Sequence, residues 1–178
     1  MAYQLDYFAV IKAFFMPFNL FFLLLFLGPV AIAVFVAYRT INRYRIAILL
    51  ASVAIPILIL SLISFPEVGS GWNLDRNSLK IKSPPVLTTI QLPEARVELV
   101  ESSGSWQTTL RINGSGKPGL AIGWFKLQNG KKAVVFRHLH HAKMVVLEYQ
   151  GEFYILQHPG VEDLYMELIA RGAKPTGL

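Results

Sequence analysis

The chain has 178 residues, 53% of them hydrophobic, a net charge of +6 and no cysteine. Its mean hydropathy of +0.45 is high for a soluble protein, and the lack of cysteine excludes disulfides, cysteine nucleophiles and thiolate metal sites. Residues 1–66 and 67–178 each carry +3, so the C-terminal part is nearly balanced and has no basic stripe of the kind nucleic acid needs.

Residues 1–16 place Tyr7, Phe8, Ile11, Phe14 and Phe15 at helical spacing on one face. This predicts either an interfacial helix lying along a membrane or an extension of the apolar run that follows. Residues 13–38 and 46–66 then carry no charge. Roughly 20 apolar residues span about 30 Å of hydrocarbon, so both runs meet the length of a membrane helix. Their apolar residues lie all round the helix, which leaves no face for water. The first run is too long for a signal-peptide core, and Arg39-Thr40-Ile41 is no cleavage site. Pro29 and Pro56 predict bends. Asn19, Ser52 and Ser61, with the alanines at 31, 33, 51 and 54, allow close helix packing.

The joining segment holds Arg39, Arg43 and Arg45 and no acid. The positive-inside rule puts it in the cytoplasm and the long C-terminal part outside. The inverted topology follows only if these arginines serve merely as helix-end anchors. The resulting boundaries are membrane helices over 17–38 and 46–65, a basic loop over 39–45, a Gly/Ser/Asn-rich linker over 66–78, a β domain over 79–173 and a tail over 174–178.

From Leu79 the period changes to two. Residues 79–82, 86–92 and 95–101 read as strands, the last with apolar and charged residues alternating strictly. Residues 106–112 read as a ragged strand, and Asn113 to Gly119 as a glycine-rich loop. Asn129-Gly130 between β-patterned runs predicts a two-residue type I′ hairpin, and Gln150-Gly151 a second hairpin. A final helix follows His158-Pro159-Gly160, with Glu162 and Asp163 in its first turn and Gly172 at its end. Its buried stripe is Val161, Leu164, Tyr165, Leu168 and Ile169.

Arg111-Ile112-Asn113-Gly114, the run Gly123 to Ala133, Gly151 to Leu156 and the proline-led helix together resemble the bacterial PH-domain family found beside two N-terminal membrane helices. The resemblance covers about residues 79–171. It implies a small mainly-β sandwich or barrel of about seven strands closed by a C-terminal helix, and no catalytic residues.

Three side-chain groups carry candidate chemistry. His138, His140 and His141 are weak metal candidates, with His138 and His140 on one side of a strand and His158 a possible fourth; no carboxylate lies among them. Gly114, Gly116 and Gly119 match G-x-G-x-x-G, but the strand expected after them is not the helix a dinucleotide site needs. Lys117, Lys126, Lys131, Lys132, Arg137 and Lys143 lie near loops and form the candidate ligand or partner surface, which PH analogy links to lipid headgroups. No serine, histidine and carboxylate spacing indicates an enzyme, and no cofactor is implied. The expected function is a non-enzymatic scaffold in the bilayer whose β domain meets a protein partner or another copy. An accessory subunit held through its helices and a headgroup-binding domain are the alternatives.

Overall fold

The computed structural model describes residues 1–16, 20–39 and 42–177. The chain divides into two units, Phe18–Pro66 and a second made of Met1–Pro17 together with Glu67–Leu178. The expected start of the first span at Pro17 and the polar Asn19 lie outside the described residues.

The first unit holds helices α2 (Leu20–Arg39) and α3 (Asn42–Ser64), each running through its proline. Arg39 therefore closes α2, while Arg43 and Arg45 fall in the first turn of α3. Thr40 and Ile41 of the expected basic loop lie outside the described residues. Among the described residues one stretch, Ile46–Glu67, is long and apolar enough to cross a membrane, and α2 contributes the shorter apolar stretch Leu27–Arg39. Ser52 and Ser61 each donate to a carbonyl of their own helix, Leu49 and Ile57, at 2.8 Å. They satisfy their own helix's backbone, the local bonding that serine adopts in helix interiors.

The second unit is mainly β. Ala2–Gln4 (β1), Gly71–Leu74 (β2), Ser78–Ser83 (β3) and Val86–Gln91 (β4) form an antiparallel sheet in that order. The remaining strands are Arg96–Glu101 (β5), Thr108–Lys117 (β6), Leu120–Leu127 (β7), Lys132–His138 (β8), Lys143–Tyr149 (β9), Glu152–Gln157 (β10) and Lys174–Pro175 (β11). They form a second sheet in the order β11-β5-β9-β10-β8-β7-β6, with β10 parallel to β8 and β11 parallel to β5. Helix α1 (Tyr7–Phe15) precedes the hairpin, and α4 (Val161–Ala170) follows β10.

Three boundaries differ from expectation. Residues 1–16 are built into the β domain, which the reading as an interfacial helix or an extension of the first span does not anticipate. β1 pairs with β2, and Leu5, Val10, Ala13 and Phe14 are buried. Residues 66–78 are likewise no mere linker, because β2 lies within them and buries Trp72 and Leu74. Residues 174–178 are not all tail, since Lys174 and Pro175 extend the second sheet.

The central β strands bury both faces. Val134 and Phe136 enter the main core with α1, α4 and the first sheet, while Ala133 and Val135 enter a second cluster under Trp106. A strand covered on both sides reads as a continuous apolar run, as Ala133-Val134-Val135-Phe136 does. Buried Ser83 ties the sheets together. Its hydroxyl donates to the Val135 carbonyl at 2.6 Å and accepts from the Gly123 N–H at 2.9 Å.

The glycine-rich segment is a strand. β6 runs through it, and Gly114 and Gly123 face each other across β6 and β7 with φ of 116° and 109°. A Cβ on Gly114 would collide with the Ile122 carbonyl, and one on Gly123 with that of Asn113. Here glycine serves close backbone approach. The turn at Asn129-Gly130 is also not type I′. Only Gly130 has positive φ, 82°, and its N–H bonds the Leu127 carbonyl at 3.0 Å, so a type I turn ends in a left-handed glycine. The I′ pattern lies instead at Gln150 and Gly151, with φ of 52° and 81°. Helix α4 ends as its sequence predicts. Gly172 N–H bonds Ile169 O and Ala173 N–H bonds Leu168 O, both at 3.0 Å, the paired bonds of a Schellman cap.

Ser83→Ala should destabilise the β domain by about 2 kcal/mol, because it strands the buried Gly123 N–H and removes a second bond. Thermal unfolding of the full chain followed by near-UV circular dichroism reads this directly. An unchanged midpoint would show that Ser83 does not link the sheets.

Candidate functional site

The six basic residues expected on one surface separate into different environments. Lys117 is not on a surface at all. Its Nζ pairs with Glu67, with the two side chains only 8% and 7% exposed, and stands 4.1 Å from the centre of the Phe14 ring. Burial lowers its pKa, and Glu67 opposes that shift through a hydrogen bond and its charge. Lys131 lies over Phe153 and Trp106, with Nζ 4.2 and 4.9 Å from the ring centres. Lys126 and Lys132 are exposed and sit opposite one another on β7 and β8. Lys143 on β9 is opposite Glu101 on β5. Arg137 lines a pocket elsewhere. A single basic headgroup-reading face is therefore not assembled from these six.

The histidines also separate. β8 ends at His138, and Leu139 then takes a positive φ of 62°, which breaks the strand's alternation. His138 turns into the main-core side, whereas His140 is exposed and lines the pocket with Arg137. The expectation that the two share a side fails for this reason. His141 Nε2 lies 3.9 Å from Glu162. Among the described residues no group of three or more His, Cys, Asp or Glu is placed to hold a metal.

His138 and His158 are brought together with two aromatic residues that the sequence did not single out. Tyr3 Oη and His138 Nδ1 are hydrogen-bonded at 2.6 Å, and the Tyr3 and His158 rings stack at 4.2 Å. Trp72 Nε1 donates to His158 Nε2 at 2.9 Å, and His158 Nδ1 lies 2.8 Å from the Pro159 carbonyl. A Trp N–H has no acceptor capacity, so His158 Nε2 must be bare and Nδ1 must carry the proton. The ring is thereby held neutral. Tyr3 is separated from His138 by 135 residues in the chain, which is why spacing alone does not reveal the cluster.

The glycine triplet does not cradle phosphate. Gly114 serves strand contact, and Gly119 lets β7 reach α1, where its N–H donates to Ala13 O at 2.8 Å and a Cβ would strike Met16 O.

The pocket is a cavity of about 140 Å³ on the Trp106 side of the second sheet, with Arg137, His140, Thr108 and Gln157 on its walls. Arg137 and Gln157 are register partners on β8 and β10, which puts them side by side. Gln157 is anchored by donating Nε2–H to the His141 carbonyl at 2.6 Å.

Residues 71–171 match the family model described as Bacterial PH domain. No curated protein and no solved structure gives a significant match. The matched region starts at β2, so β1 and α1 lie outside it while completing the same core.

Burial lowers the pKa of both His138 and His158 below the ordinary 6.5. At His158 the Pro159 carbonyl raises it, His138 and His141 lower it, and Glu162 raises it; at His138 the Ala9 backbone raises it, Lys12 lowers it and Asp6 raises it. In the window below 6.5 the unfolded chain binds more protons at these sites than the folded one, so stability falls as pH falls. Unfolding midpoints of the full chain should drop between about pH 7 and pH 5, and His158→Gln should flatten that slope. An equal slope in the variant would remove His158 from the account.

Proposed function

The chain belongs to the Bacterial PH domain family, and from that premise we propose that it is a non-enzymatic binding protein anchored by a two-span hairpin. It holds its β domain outside the cytoplasm and takes up an extended, acidic protein segment along β6. Fold membership alone does not carry a function, so the reading rests on how the chain is connected and on one open edge.

The connectivity supports two crossings. β1 pairs with β2, and one precedes the helical unit in the chain while the other follows it. A single crossing would put those two strands on opposite sides of the bilayer. An even number returns them to one side. Arg39, Arg43 and Arg45 lie between the apolar stretches, and the positive-inside rule favours the cytoplasm for them, with the β domain opposite.

The observation that carries the binding role is β6. It is an edge strand of ten residues, most of them exposed, with Leu110 62% and Ile112 49% exposed. Its register shifts lie between Thr108 and Asn113, leaving Asn113–Lys117 regular. Long, apolar edges are ready templates for an added strand. Leu110, Lys126 and Lys132 are successive partners across β6, β7 and β8. That row favours an acidic occupant, although Glu152 closes it on β10.

A photo-crosslinking residue in place of Leu110 should give a protein adduct in cells. The same residue in place of Leu87, on the edge strand β4 and 77% exposed, should not. Lys126→Glu with Lys132→Glu should reduce the Leu110 adduct by about tenfold. Adducts confined to helix positions such as Leu58 would favour an accessory subunit held through its spans.

A further inference from the structure

Arg137 is a half-buried cation without a balancing anion. Its Nη1 makes one long contact, 3.5 Å to Thr108 Oγ1, and its Nε is buried with no hydrogen bond. None of the ion pairs among the described residues involves it. Arginine stays charged in proteins, and a charge withdrawn from water is ordinarily paired. None of the groups around it carries a negative charge: they are the hydroxyls of Ser102 and Thr108, the Gln157 amide and the His140 ring. No carboxylate lines the pocket.

The second observation is the space itself. The cavity opens onto this guanidinium and holds about 140 Å³. A cavity of about 150 Å³ accepts a benzene-sized guest of six heavy atoms. Inorganic phosphate or acetate is of that size, and a nucleotide is not. A guanidinium fork also matches the oxygen spacing of carboxylate and phosphate.

We propose that this pocket, under the turn that carries Trp106, binds a compact oxyanion, a phosphate or carboxylate group held by Arg137 and Thr108 with His140 at the rim. It stands apart from the β6 edge reading, since an anion could be held whether or not a strand adds there. Burial and the Arg137 charge both depress the His140 pKa, and the Pro118 backbone raises it. An anion seated between them would favour the protonated ring, so His140 reports occupancy.

The test uses the full chain in phosphatidylcholine nanodiscs, with histidine ring signals followed by NMR at constant ionic strength. Adding inorganic phosphate should shift His140 saturably and raise its pKa, while His158 stays fixed. Arg137→Gln should weaken phosphate about 10- to 100-fold, the value of a charge-assisted bond. Thr108→Val, on the exposed strand β6, should weaken it several-fold, and covers the case in which Arg137→Gln disturbs folding. Acetate in place of phosphate tells which oxyanion is preferred. Nanodiscs carrying phosphatidylglycerol, with no added phosphate, separate the sources. A saturated His140 shift there identifies a lipid headgroup, and a shift with soluble anion alone identifies a small solute. If chloride reproduces the phosphate shift, or if Arg137→Gln and Thr108→Val bind phosphate as the unaltered chain does, the proposal is overturned.

Discussion

The buried pair between Glu67 and Lys117 joins two distant parts of the chain beneath the Phe14 ring. Glu67 follows the helical unit in sequence, Lys117 ends β6, and Phe14 precedes the helical unit. Removing one partner from such a pair leaves a buried charge and typically costs about 3–5 kcal/mol. The pair acts with neighbouring backbone bonds: Gly119 N–H to Ala13 O at 2.8 Å, Leu5 N–H to Ser70 O at 2.9 Å, and Gly69 N–H to Leu5 O at 2.8 Å. Each joins a residue of the first segment to one of the last. Residues on both sides of the apolar insertion therefore build one core.

That constraint shapes the functional reading. A domain completed by the residues ahead of the hairpin cannot lie on one side of a bilayer if the insertion crosses only once. It also gives the domain a stiff frame. The main core closes on one face of the second sheet, and the Trp106 cluster closes on the other. Open features of that frame include the β6 edge and the pocket at Arg137. The roles proposed for them are recognition, of a backbone at the edge and of a charge in the pocket.

The parts legible in the sequence are those whose signals are local. α4 is marked by Glu162 and Asp163 at its start, Gly172 at its end and a stripe of Val161, Leu164 and Leu168, and all of these act within a few turns. Alternation in β3 places Leu79 and Ile81 inside and Lys80 and Lys82 outside. The match over residues 71–171 agrees with the family resemblance seen in the sequence. The parts that were not legible depend on distant partners. The spacing in α1 suits a membrane or a core equally well, and the tie to the core comes from the pairing of β1 with β2 and the burial of Val10, Ala13 and Phe14, while Phe8 stays exposed. Gly114 looks like a loop residue until Gly123 is set opposite it. His138 and His140 are separated by the backbone turn at Leu139, a conformation that no spacing rule assigns to leucine. The Tyr3–His158–Trp72 cluster draws on residues from both ends of the chain, so no window contains it.

The central claim is that residues on either side of the hairpin share one side of the membrane, and single-cysteine labelling tests it most directly. The chain has no native cysteine. Phe8→Cys on α1, which is 78% exposed at that position, Ser103→Cys in the β domain and Thr40→Cys between the apolar stretches would each be treated with a membrane-impermeant maleimide in intact cells. Phe8→Cys and Ser103→Cys should react together, and Thr40→Cys should react only after permeabilisation. Labelling of Phe8→Cys and Ser103→Cys on opposite sides would contradict the shared core. Reaction of Thr40→Cys alone in intact cells would invert the topology.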